Sequence, residues 1–124
     1  MIGNSRIGFV GVGRMGANMA RRLKDKGYVI TAFQDHNTAR AKSLAQELSC
    51  EAAPSPARVA ELSDVVLTVV PDDAAMNEIF SESSPSSLLC YAKDRLFINF
   101  ATVSPEVHIK TEALVEQNGG TNLE

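Results

Sequence analysis

The run Ile7-Gly8-Phe9-Val10-Gly11-Val12-Gly13-Arg14-Met15-Gly16-Ala17-Asn18-Met19-Ala20 joins a short apolar strand to a helix through three spaced glycines. No other feature constrains the chain as much. Gly11 permits a tight turn out of the strand, Gly13 removes the Cβ that would hold a phosphate away from the backbone, and Gly16 lets the new helix lie close on the sheet. The helix opening here presents unpaired N–H groups and about half a positive charge at its first turn, so the junction suits a diphosphate without any cationic side chain. A turn that binds nothing could carry the same spacing, but the surrounding order favours binding. A strand at 6–10 precedes the glycines, Met15, Met19, Ala20 and Leu23 recur at helical spacing, Gly27 stops the helix just past Lys24 and Lys26, and a second strand follows.

Farther along, apolar runs without clean alternation alternate with helical patterns, the signature of a parallel sheet covered on both faces. The second strand is expected at 28–33 and a helix at 38–48 that buries Ala41, Leu44, Ala45 and Leu48. A brief third strand falls near 50–52. Pro54 and Pro56 then break the chain, Ser55 caps a short helix through Leu62, and Val65-Val66-Leu67-Thr68-Val69-Val70 forms the strongest strand, ended by Pro71. A helix at 73–80, a polar surface loop at 81–87 and a strand at 96–100 follow. Ser104 and Pro105 open a last helix to about Asn118, before Gly119-Gly120. The result is one α/β domain, a doubly wound parallel sheet of the Rossmann type with strand order 3-2-1-4-5. The loops after Val10, Val70 and Phe100 should converge at the switch point between the first and fourth strands.

Composition narrows the setting. The 124 residues are 44% hydrophobic and 22% charged with a formal net charge of −3, an ordinary soluble domain. No stretch approaches the ~20 apolar residues of a membrane span, and Met1 leads into the first strand without the regions of a signal peptide, which points to the cytoplasm. The twelve Lys and Arg residues are dispersed, which argues against nucleic acid. Cys50 and Cys90 are too isolated for a disulfide scaffold or zinc site and read as reduced, semi-buried side chains. His36 and His108 have no ligand at metal-binding spacing. Asp72 and Asp73 read as helix caps rather than an acid/base pair, and residues 81–87 lack the histidine and elbow glycines of a nucleophile site. No metal ligand and no catalytic residue is assigned.

Three motifs in order give a resemblance: the glycine run with Met19-Ala20 after it, Val69-Val70-Pro71-Asp72 after the fourth strand, and Thr102-Val103-Ser104-Pro105 after the fifth. End to end, the chain resembles the amino-terminal half of the β-hydroxyacid dehydrogenase family, the 3-hydroxyisobutyrate and 6-phosphogluconate dehydrogenase relatives. The resemblance implies that the run containing Gly11, Val12, Gly13, Arg14, Met15 and Gly16 holds a cofactor diphosphate. It also implies that Val70 and Pro71 line the ribose path and that Thr102 sits beside the nicotinamide ribose. Many relatives have Ser-Thr where this chain has Ala101-Thr102, which removes one hydroxyl. The family's helical second domain, with its catalytic lysine, would begin near Glu124. Lys24, Lys26, Lys42, Lys93 and Lys110 match no motif and read as solvated charges. The expectation is a cofactor-binding domain that cannot complete catalysis alone and that, in a full-length homo-oligomer, would serve a small hydroxy-acid substrate held by the missing domain.

Cofactor choice turns on Phe33-Gln34-Asp35-His36-Asn37, about twenty residues past the glycines. Asp35 can accept from both ribose hydroxyls of NAD and would repel a 2′-phosphate, so NAD is favoured over NADP. Relatives that use NAD usually carry the acid one place earlier, where this chain has Gln34, and NADP relatives place an arginine near here. Arg40 and His36 could turn toward a phosphate, and Asp35 could instead cap a turn or the next helix. The leading reading is an oxidoreductase acting on a small 3-hydroxy acid. The alternatives are an imine reductase-like NADPH enzyme and a non-catalytic dinucleotide-binding or sensing module.

Overall fold

The structure is a computed structural model and describes residues 5–123; the expectation made at Met1 lies outside the described residues. The chain runs β1 (Arg6–Val10), α1 (Arg14–Asp25), β2 (Val29–Gln34), α2 (Thr38–Leu48), β3 (Glu51–Ala52), α3 (Pro56–Leu62), β4 (Val65–Thr68), α4 (Asp73–Ile79), a 3-10 helix (Leu88–Tyr91), β5 (Leu96–Asn99), α5 (Pro105–Gln117) and β6 (Thr121–Leu123). All strand pairings are parallel, in the order β3-β2-β1-β4-β5-β6. The expected order 3-2-1-4-5 is present, with β6 added beside β5. Thr121-Asn122-Leu123 is too short and too polar to announce a strand, and Gly119, at φ +86°, supplies the turn that sends it back along the sheet edge.

Two cores form on the two faces. Phe9, Phe33, Ile7 and Ile30 of the sheet meet Ala20 of α1 and Ala41, Leu44 and Leu48 of α2. On the other face, Val10, Ala32, Val66 and Phe97 meet Val59 of α3, Met76 of α4, Phe80, and Leu114 and Val115 of α5. Phe80 meets Phe97 edge to face at 5.5 Å, a geometry that aromatic quadrupoles favour.

The two faces also expose an irregularity. Ile7 pairs with Ile30 but Gly8 pairs with Ala32, so Thr31 is an extra residue in β2. Regular alternation would put Ile30 and Phe33 on opposite faces; instead both enter the same core, as a one-residue bulge requires. The Thr31 hydroxyl donates to the Ile7 carbonyl at 3.0 Å and lies 2.7 Å from the Ser63 hydroxyl. Gly8 makes room beside them, since a Cβ there would lie 2.4 Å from Ser63 Oγ.

The caps expected at Ser55, Asp72 and Ser104 are in place, their side chains accepting from the backbone N–H groups of Arg58, Ala75 and Val107 to open α3, α4 and α5. The cap of α2 is Asn37, which accepts the Arg40 N–H. Three expectations need correction. Asp73 does not cap α4, because its carboxylate accepts the Ser104 N–H at 2.8 Å and ties α4 to the start of α5. Ser87 is buried and caps the 3-10 helix, so the polar tract ends inside the protein. Cys90 is exposed rather than half-buried, while Cys50 is half-buried and burial pushes its thiol up to about 11.

Candidate functional site

At the carboxyl ends of β1 and β4 the chain leaves the sheet in opposite directions, and a cleft of about 730 Å³ opens between the departing loops. Gly11 takes φ +95°, and a Cβ on it would lie 2.2 Å from the Val69 carbonyl oxygen, so only glycine allows the loops after β1 and β4 to touch. A Cβ on Gly16 would meet the Gly11 carbonyl oxygen at 2.8 Å, so Gly16 presses the first turn of α1 onto the same loop. Gly13 differs from both: apart from Gly13 and its chain neighbours, no heavy atom lies within 4 Å of the position its Cβ would take. It is the N-cap of α1 in extended backbone, with no side chain accepting from the turn. The first helical bond runs from the Ala17 N–H to the Gly13 carbonyl at 2.9 Å. The uncapped turn and the open space at Gly13 fit an anionic group that accepts from backbone amides.

The end of β2 meets this loop. Asp35 accepts the Val12 N–H at 2.5 Å through one oxygen and the Asn37 N–H at 2.9 Å through the other. Its carboxylate thus fastens the glycine loop and shapes the turn into α2, whose cap is Asn37. Each oxygen retains a second lone pair for a further donor. Beyond the bulge at Thr31 every residue of β2 is paired one position later than in a regular strand, so that Gln34 stands opposite Val10 and Asp35 follows at the strand end.

The cleft brings together Gly11, Gly13, Met15, Gln34, Asp35, Val70, Pro71 and Thr102. Val12 and Arg14 are not among the residues lining it. They line an adjoining groove between α1 and α2 with Arg40, which borders both spaces, and the Val12 side chain is buried in the core. Gly16 lies beneath, in the loop contact already described. Met15 does not share the buried face of α1 with Ala20; it is 52% exposed and borders the cleft, because the first turn of α1 stands beyond the end of the sheet.

Several cleft residues escaped the sequence reading: Ala74, Ala75, Glu78 and Ile79 of α4, and Phe100 after β5. The i,i+4 pairs Ala74/Glu78 and Ala75/Ile79 were the available signal, since such pairs share one helix face. His36 and Glu78 stand on opposite walls with Nε2 and Oε2 3.6 Å apart. Thr102 and the exposed Phe100 mark the other end. Among the described residues no three His, Cys, Asp or Glu side chains gather as a metal set, and no helix is long and apolar enough to cross a membrane.

Comparisons with known proteins agree with this geometry. The family model of the NAD binding domain of 6-phosphogluconate dehydrogenase matches residues 6–124. The mitochondrial 3-hydroxyisobutyrate dehydrogenase of Drosophila melanogaster is 33% identical over 108 residues, 85% of this chain and 31% of that protein. The solved structure of Mycobacterium tuberculosis 3-hydroxyisobutyrate dehydrogenase with L-serine superposes with a TM-score of 0.80 at 29% identity, covering 96% of this chain and 39% of that one. An imine reductase from Myxococcus stipitatus in complex with NADP+ shares the fold, with a TM-score of 0.80 at 20% identity over 94% of this chain and 39% of that one. The chain thus spans about a third of the length of the curated relatives it matches. With a glycine loop, an acid after β2 and a match over nearly its whole length, the chain belongs to the NAD-binding domain family of 6-phosphogluconate dehydrogenase.

Proposed function

We propose that this chain is the cofactor-binding part of a nicotinamide-dependent oxidoreductase acting on the CH–OH group of a small 3-hydroxy acid, in the manner of 3-hydroxyisobutyrate dehydrogenase. The observation that carries the proposal is Gly13, the uncapped start of α1 with free space where a Cβ would stand. Gly11, Gly13, Arg14, Met15 and Gly16 receive the diphosphate, with Val12 and Asp35 holding the loop in shape. Asp35 and Gln34 meet the adenosine ribose, Val70 and Pro71 line the path, and Thr102 meets the nicotinamide ribose. The bound nicotinamide supplies the hydride-accepting carbon; the chain's own residues orient it and keep its diphosphate on backbone donors.

The cofactor proposed is NAD. Asp35 retains acceptor capacity for the ribose hydroxyls after binding two amides, and its charge opposes a 2′-phosphate. Titration of the chain with NAD and NADP tests this: the parent should bind NAD more tightly, and Asp35→Ala should lose about tenfold in NAD affinity. Tighter NADP binding by the parent would overturn the choice. The cytoplasmic address, the homo-oligomer and the hydroxy-acid partner go with this proposal.

One observation favours a second reading, a non-catalytic dinucleotide-binding module. Of the cleft carboxylates, Asp35 and Asp72 are engaged with backbone N–H groups and Glu78 faces His36, and among the described cleft residues Thr102 carries the one side-chain hydroxyl. The imine reductase reading has only the shared fold behind it. Reduction of NAD by the whole protein with 3-hydroxyisobutyrate separates these readings. Turnover supports the enzyme; dinucleotide binding without turnover on hydroxy acids or imines supports the module.

A further inference from the structure

We propose that Glu78 reads the nucleobase of the dinucleotide, selecting adenine by accepting from its exocyclic amino group, and that His36 is the positioning residue for the Glu78 carboxylate. The inference rests on the dinucleotide reading of the cleft and adds a determinant of which base is taken.

The orientation follows from the three loops. The glycine loop places the diphosphate at the middle of the cleft, Thr102 and Phe100 mark one end, and Asp35 marks the ribose on the other. The base attached to that ribose therefore lies beyond Asp35, between the loop after β2 and α4. On the α4 side Ala74, Ala75 and Ile79 make an apolar wall, suited to the face of a flat ring. Among the described cleft residues contributed by α4 and its cap, two are ionisable. Asp72 stands at the N-cap of α4, accepting the Ala75 N–H, whereas Glu78 lies near the other end of the helix, opposite His36 of the loop after β2.

Glu78 is 64% exposed and His36 76% exposed, yet their side chains meet across the mouth at 3.6 Å rather than turning out to water. The contact places the carboxylate at the mouth of the slot. Energetically the contact is that of a surface pair, of little worth to stability, so its place across a ligand cleft is the informative part. A carboxylate accepts and cannot donate. Adenine offers it an amino group at C6, whereas hypoxanthine and guanine place there a carbonyl oxygen, which a carboxylate repels, and carry their N1–H donor one ring atom away, so a carboxylate opposite C6 discriminates by position. Glutamine can turn either end of its amide toward the base and erases the distinction.

The test is calorimetric titration of the chain with NAD and with nicotinamide hypoxanthine dinucleotide, which differ only at C6 and its neighbouring ring nitrogen. The parent should bind NAD about tenfold more tightly. Glu78→Gln should bring the ratio to about twofold or less, and His36→Ala should lower it part of the way. Both variants should unfold at the parent's temperature, so that a change in the ratio reports base reading rather than fold. Equal affinities in the parent, or a ratio that survives Glu78→Gln, would overturn the assignment of Glu78 while leaving the dinucleotide cleft standing. Failure of the parent to bind either dinucleotide would remove the cleft reading and this inference with it.

Discussion

The same two strands, β1 and β4, end in opposite ways. At their amino ends Arg6 and Asp64 face each other: the guanidinium donates to both carboxylate oxygens at 3.3 and 3.1 Å, the Arg6 N–H donates to the same carboxylate at 2.9 Å, and the Asp64 N–H returns to the Arg6 carbonyl at 2.8 Å. At their carboxyl ends the chains touch at Gly11 and Val69 and then diverge around the cleft, and α1 begins without a cap. The helices repeat the contrast, since α2, α3, α4 and α5 each open on a side chain that accepts from the first turn. Folding alone therefore satisfies the amino end and four helix starts. Among the described α-helices only α1 starts without a side-chain cap, and the cleft lies there.

The comparison can be broken most severely at Gly11. Gly11→Ala would force a Cβ to within 2.2 Å of the Val69 carbonyl oxygen at φ +95°, so the two loops must separate. The expected loss is about 3 kcal/mol of unfolding free energy, read by urea denaturation. A loss under about 0.5 kcal/mol would mean that the loops after β1 and β4 do not touch as described.

A smaller effect sharpens the contrast between capped and uncapped helices. Ser55→Ala removes the cap of α3, whose hydroxyl accepts the Arg58 N–H at 3.3 Å, and should cost about 1 kcal/mol while leaving dinucleotide affinity unchanged. An affinity loss matching the stability loss would show that α3 and the cleft are coupled, which the geometry does not provide.

The smallest effect concerns the closed amino end. The hydrogen bond from the Arg6 side chain, aided by the Arg6 backbone N–H, holds the Asp64 carboxyl below its usual range. The fold therefore favours the ionised form. That contribution is complete above the ordinary carboxylate value near pH 4 and is lost as the pH falls through the lower value in the fold. Because both side chains are about half exposed, at 51% and 47%, the effect is modest. Comparing urea midpoints of the parent and Asp64→Asn from about pH 6 to about pH 2 should show a small advantage for the parent that vanishes at the acid end. An advantage that grows with acid would contradict the pairing.

What the sequence disclosed was local. The glycine spacing, Ser55-Pro56 and Ser104-Pro105 are codes in which a residue and its near neighbours decide the conformation, and the strand order followed from parallel crossovers between them. What it concealed depended on pairing across the sheet. The bulge at Thr31 sits in the run Val29-Ile30-Thr31-Ala32-Phe33, and a strand buried on both faces has no alternation from which a slipped register could be read. Glu78 has the look of an ordinary solvated helix residue until α4 is laid beside the loop after β2. Phe100 and Met15 pass for core until the strand and helix ends are known to reach past the sheet.

The central claim is that the uncapped start of α1 is kept open for a diphosphate, and calorimetric titration of the parent and Gly13→Val with NAD tests it most directly. Apart from Gly13 and its chain neighbours, no heavy atom lies within 4 Å of the Gly13 Cβ position, so a side chain added there should extend into the space assigned to the ligand while the fold is kept. The account predicts that both proteins unfold at the same temperature and that the variant binds NAD at least about a hundredfold more weakly than the parent. Equal affinity in the two proteins would contradict it.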